Sequence, residues 1–581
     1  MPEFSAAVFD SVMFVLSESQ YAGYIQTFAN GIDQRDPDPM LKKLHPSKRI
    51  SDLLSDIADD IPRARAVEQI AASYGFCNWR QLEVFIEMYQ QVAPKSEHEF
   101  VRLVCLDYQT HMHDIERATQ LVHEHPDLSQ QDIYNACAIG DLKAVREFVR
   151  QEPRSVSQPG GYFGWEPLLY ACYSRLNVPG LSTLDVAKFL LDNGADPNAH
   201  FMWGGQYCFS AVTGAFGEGE NGSVNCPEHP QCKQLARALL DAGADPNDGQ
   251  ALYNRMFTPT NVCMEMLVEY GLRGEHKCNW LLDGENGELL PNTTFTLAYQ
   301  LRYAIKTGNP DRARLCVDSG ADLTTQDDQA PFYEQAMLSG DAALADYLVT
   351  HGAEKSELDT VKQFASACQA GDEETAKALL DAEPDLMSRT QDALPELVVA
   401  ACESGRDNAV RLIAKLGGDL TAGDPMQQAA WQGQLDMIKL LVELGCSPQQ
   451  RDPHHHATPM QWAHHHGDRD DVIDFLSGCD IDIFDAVICN NTDRIQQLID
   501  EDASQLEVTY GEVRHATDAD RTTTDSRTPL VSAVTRQRQD VVRCLLNRGA
   551  NTDYAEDGKT LIELAREHST PAIVELLSNG S

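Results

Sequence analysis

Three stretches of this 581-residue chain place reactive side chains at suggestive spacings. Cys226-Pro-Glu-His229-Pro-Gln-Cys232 has the pattern Cys-x2-His-x2-Cys. Three such soft ligands suit zinc, with a fourth supplied from outside, but no second ligand pair follows at closed-site spacing. The other reading is an ordered Pro-rich loop that needs no metal or other cofactor. Asp557-Gly558-Lys559-Thr560 imitates the end of a phosphate-binding loop, yet Asp553 stands where the first Gly is required. It reads instead as a turn opening a helix. Six histidines fall in two runs, His454–His456 and His464–His466. They suit a metal site, a pH-sensing or partner-binding patch, or a solvated polar face. The chain contains no His-Glu-x-x-His, Gly-x-Ser-x-Gly or paired Cys-x-x-Cys, so hydrolase and thiol-redox chemistry lack a nucleus.

The elements that must position these residues are helical pairs. From Met426 the sequence MQQAAWQGQLDMIKLLVELG is answered by MQWAHHHGDRDDVIDFLSGC from Met460. Ala429 matches Ala463, Gly433 matches Gly467, Ile438 matches Val472 and Leu441 matches Phe475. Each copy predicts a short helix, a Gly stop, a second helix and a turn. Neither copy buries its apolar face alone, so neighbours must stack. A second phrase recurs as Asn193-Gly-Ala-Asp-Pro-Asn198, Ala242-Gly-Ala-Asp-Pro-Asn247, Ser319-Gly-Ala-Asp322 and Arg548-Gly-Ala-Asn551. There Gly supplies the left-handed cap and Asp or Asn the turn beyond it.

With Thr458-Pro459-Met460 opening one copy and Glu166-Pro-Leu-Leu-Tyr-Ala171 another, the chain resembles the ankyrin-repeat family. Ala72-Ser-Tyr-Gly-Phe-Cys-Asn-Trp79 is similar to a short helical preface found ahead of ankyrin repeats in bacterial proteins. The resemblance implies an all-α solenoid of helix–turn–helix pairs acting as a protein-binding scaffold without catalysis. Residues 1–92 read as a helical N-terminal cap, with helices opening near Ser51 and Arg63 and a third capped by Asn78. A first array follows over 93–272, with an insertion at 217–231. Residues 273–292 read as a loop or break, and a second array covers 293–581 with a polar insertion at 508–526.

In that family the hairpin tips and the ends of the first helices line a concave binding face. The resemblance therefore implies partner contacts for His454, His455, His465, His466 and Trp431. It implies the same for Tyr162, Phe163, Trp165, Tyr173, Trp203, Tyr207 and Phe209. Aromatics on adjacent hairpins are either anchors for a partner or a local packing cluster. The insertion after Phe216 is expected to close over them, with Glu218 and Glu220 facing basic groups.

Composition narrows the partner. A net charge of −43 and an isoelectric point near 4.6 disfavour direct contact with nucleic acid or anionic lipid. They suit a basic protein or peptide, or plain solubility. Two readings from other classes stay open: a metal-dependent enzyme using the inserted loops, and an acidic mimic occupying the nucleic-acid site of a basic protein. Sixteen Cys without secreted-domain spacing, no signal-peptide pattern and no membrane-length apolar run predict a cytoplasmic protein.

Overall fold

The computed structural model describes residues 71–72, 75–89, 98–108, 114–220, 222–283, 289–324, 330–390, 393–467, 469–514, 525–556 and 559–579. The helices expected near Ser51 and Arg63 lie outside this set. Short paired helices dominate the rest, with three two-stranded hairpins among the described residues.

One backbone position explains the regularity. The first helix of a pair ends at a residue in the left-handed region: Gly140, Gly340, Gly371, Gly405, Gly433 and Gly467, with Asn490 and Gln537 in the same place. A Cβ is unfavourable there, so Gly is the usual solution. The second helix opens two or three residues later. Asp141, Asn309, Asp341, Asp372 and Asn491 cap it by accepting a backbone N–H three residues on.

The chain forms two compact units. The second is built mainly from residues 330–579, and its core runs without interruption from Phe364 to Leu577. Ala429 and Ala463 are fully buried where the helices Pro425–Trp431 and Pro459–His466 pack together. At this spacing only a small side chain admits the neighbouring helix. The base of the 508–526 insertion is tethered: the Tyr510 hydroxyl donates to Gln461 Oε1 at 2.9 Å, and the ring meets Phe484 at 5.1 Å.

The first unit contains the described residues up to 305, with 309–324. Its boundary therefore falls later than the expected break at 273–292. That stretch holds a hairpin instead, pairing Leu281–Asp283 with Leu289–Pro291. The helix Trp79–Tyr89 is capped as expected, Asn78 Oδ1 accepting from Gln81 N at 3.0 Å. It lies across the hairpins of the unit: Asn78 Nδ2 donates to the Gly164 carbonyl at 2.8 Å and Arg80 Nε to the Tyr162 carbonyl at 2.9 Å. The helix Glu99–Val104 packs on Ile133–Ile139.

Candidate partner-binding faces

The position of the Trp79–Tyr89 helix decides the fate of the hairpin aromatics. Tyr162, Phe163, Trp165, Tyr173 and Phe209 are all buried, none more than 4% exposed. Phe163 stacks on Trp165 at 4.3 Å, Trp165 on Phe201 at 4.6 Å and Phe201 on Phe209 at 5.3 Å. Tyr173 closes on Trp165 and Phe201 at 5.2 and 5.3 Å. These five are therefore a packing column, which corrects their expected role as partner anchors. A hairpin faces solvent only where nothing folds over it, and here the N-terminal helix does.

The column reaches daylight at its end. In the hairpin His200–Trp203/Tyr207–Ser210, Phe201 pairs with Phe209 and Trp203 with Tyr207. Residues two apart share a face, so the buried pair and the half-exposed pair form one row. The row continues through Trp280, 5.2 Å from Tyr207, then Tyr253 at 5.3 Å and Phe257 at a further 5.2 Å. Tyr299, 36% exposed, stands 6.5 Å from Trp280. Leu281 N donates to the Gln206 carbonyl at 2.9 Å, which holds the two hairpins together. Trp280, Tyr253 and Tyr299 escaped the sequence reading. The signal was present as two short apolar runs, Trp280-Leu-Leu and Leu289-Leu-Pro, around a Gly-rich turn.

The 217–231 insertion is fixed against the unit. Glu218 forms a buried ion pair with Arg255 at 2.5 Å, and Glu228 approaches the same guanidinium at 3.6 Å. Buried Arg175 donates to the carbonyls of Pro227 at 2.6 Å and Gly214 at 2.8 Å. His229 is enclosed, its Nε2 2.8 Å from Thr183 Oγ1 while Nδ1 accepts from Gln231 N at 3.0 Å. Burial, then the charge of Arg175, hold this imidazole neutral down to about 3. With both ring nitrogens engaged, Cys226, His229 and Cys232 do not converge on a metal position. Among the described residues no three His, Cys, Asp or Glu form such a group. A lid that opens and closes is likewise not the arrangement observed.

The second unit brings the two histidine runs together. Asp452, buried, accepts from the backbone N–H groups of His454 at 3.0 Å and His455 at 2.6 Å, and from Trp462 Nε1 at 3.1 Å. His455 meets Trp462 at 5.9 Å, Trp462 meets Trp431 at 5.9 Å, and Trp431 stacks with His465 at 6.0 Å. His454 is exposed and His455 and His465 half-buried, but Trp431 and His466 are buried. The latter two are therefore corrected from contact residues to supports. Burial is the main cause holding His466 and His464 neutral down to about 3; Arg469 assists at the first, Arg536 and Arg538 at the second. In the motif at Lys559-Thr560, the Thr560 backbone N–H donates to the Glu563 carboxylate at 2.8 Å, as in a capping box rather than a phosphate seat. Asp557 and Gly558 lie outside the described residues.

No helix among the described residues is long and apolar enough to cross a membrane. No curated protein matches the chain. Among solved structures, a chain from the complex of a predatory endopeptidase of Bdellovibrio bacteriovorus with an immunity protein matches with a TM-score of 0.24 and 21% identity. The match covers 32% of this chain and 97% of that one. Family models for ankyrin repeats match residues 364–452, as three copies, and residues 163–200 and 525–557. With these matches and the stacked helix pairs, the chain is an ankyrin-repeat protein.

Proposed function

We propose that the chain is a non-catalytic scaffold that binds a basic partner protein or peptide through the half-exposed aromatic row of its first unit. The observation that carries this reading is the continuity of Trp203, Tyr207, Trp280, Tyr253 and Phe257, rings left at the surface after the packing column is filled. Rigid aromatics in contiguous patches are the usual anchors of interfaces. The net charge of −43 supplies long-range attraction for a basic partner. The patch of His454, His455 and His465 in the second unit is a second contact candidate.

The test compares captures from native lysate by the parent, by Tyr207→Ala with Trp280→Ala, and by a variant with His454, His455 and His465 changed to Gln. Circular dichroism first establishes that each is folded. A protein retained by the parent and lost from the aromatic variant supports the reading. Identical captures by all three would overturn it.

A further inference from the structure

One member of the aromatic row is not a ring. Glu220 enters it from the 217–231 segment, and the Tyr253 hydroxyl donates to its carboxylate. Glu218 and Glu228, on either side of it in sequence, both reach Arg255. Glu220 makes no ion pair among the described residues. It is nevertheless half-buried, and burial pushes its carboxyl up to about 7, the behaviour of an acid whose charge is not compensated. Beside it, Trp280 is met at steep angles by three tyrosine rings: Tyr207 at 85°, Tyr253 at 71° and Tyr299 at 69°. Aromatic faces are electron-rich and attract cations, and a desolvated carboxylate does the same more strongly. Both features select against an anion, and the carboxylate selects against a plain apolar group. Trp280 Nε1 and Trp203 Nε1 are shielded and have no acceptor among the described residues.

We propose that Glu220 and the rings of Tyr253, Trp280 and Tyr299 seat a cationic side chain, lysine or arginine, from the bound segment of a basic partner. This rests on the scaffold reading above and names the group recognised there.

The experiment titrates the full chain with acetyl-Gly-Gly-X-Gly-Gly-amide peptides, X being lysine, arginine or norleucine, followed by ligand-observed NMR at low salt. The lysine or arginine peptide should bind and the norleucine peptide should not; the tighter of the two cations names the side chain. Glu220→Gln should weaken that binding by about tenfold and Glu220→Asp by less. Asp436→Asn, which removes an exposed charge elsewhere, should leave it unchanged. Binding of norleucine at equal strength, indifference to Glu220→Gln, or equal loss in Asp436→Asn would each overturn the seat. Partner capture separates the two readings. If Trp280→Ala releases the partner and Glu220→Gln retains it fully, the scaffold stands and the seat falls. If Trp280→Ala also retains it, the scaffold reading itself is lost.

Discussion

The carboxylate of Glu218 and the guanidinium of Arg255 are 2.5 Å apart and both side chains are buried, so the inserted segment is held by an ion pair that water scarcely screens. Glu218 also adopts a φ of 59°, an uncommon backbone state for a side chain of this type. Removing one partner of a buried pair costs about 3–5 kcal/mol where the other charge is left alone, and less here, because Glu228 at 3.6 Å still faces Arg255. Glu218→Ala should therefore lower the urea midpoint and expose the 217–231 segment to thermolysin. Parental protection of that segment in the variant would show that the pair does not hold it.

Trp165→Ala should behave as a core deletion. The indole is 3% exposed and stacks between Phe163 and Phe201. Truncating a buried aromatic costs about 3–5 kcal/mol. A thermal melt matching the parent would return Trp165 to the surface.

The contrast between Trp165 and Ala463 shows what the sequence made legible. Ala463 and Gly467 sit in a repeat whose period states which face is buried, and local pattern suffices for them. The environment of Trp165 is set by Asn78 and Arg80, more than eighty residues away, through hydrogen bonds to backbone carbonyls of the hairpin. No periodicity encodes such a contact. Glu220 was visible as an acid in an insertion, but its ring neighbours come from three other elements. Buried Arg312 is similar: its guanidinium donates to the carbonyls of Met256, Thr258 and Thr260 at 2.9, 2.9 and 2.7 Å, which composition alone does not announce.

Asp485 gives a pH dependence with a definite sign. Burial first, then the neighbouring Asp482, push its carboxyl up to about 7, against the pull of Arg451 and of hydrogen bonds from Gln449 and Thr458. Unfolded Asp titrates near ~3.9. A carboxyl raised in the fold adds stability at low pH that is lost as pH climbs from about 4 through 7. Asp485→Asn removes the charge and keeps the shape, so its stability relative to the parent should rise across that window. Urea unfolding of both proteins at pH 5 and 7.5 measures the difference; parallel behaviour would contradict it.

His464 and His466 should stay neutral where ordinary histidines titrate, since both are held down to about 3, mainly by burial. Unfolded His titrates near ~6.5, so the fold loses stability as pH falls from there towards 3. Imidazole carbon-bound proton shifts, assigned by His→Gln variants, should be flat for these two between pH 5.5 and 8. A midpoint near 6.5 for either would place it in solvent.

The left-handed position that closes each first helix offers the most direct test of the repeat register. Gly467 has φ of 83° there, and Gln537 occupies the equivalent place with φ of 58°. For residues with a Cβ this conformation costs roughly 1–2 kcal/mol, because Cβ crowds the following carbonyl oxygen. Glycine avoids the clash but loses more chain entropy on folding, which returns part of the gain. Gln537→Gly should thus stabilise the second unit by about 0.5–1 kcal/mol, and Asn490→Gly by less, because Asn tolerates this region better. Gly467→Ala should act in the opposite direction by about 1 kcal/mol. The three changes touch one position in three repeats, so their signs are linked by the register alone. Differential scanning calorimetry should show the melting temperature raised by the first two and lowered by the third. If Gln537→Gly instead destabilises, Gln537 is not the helix-closing residue of its repeat, and the helices Pro529–Thr535 and Gln539–Asn547 do not pair in this register.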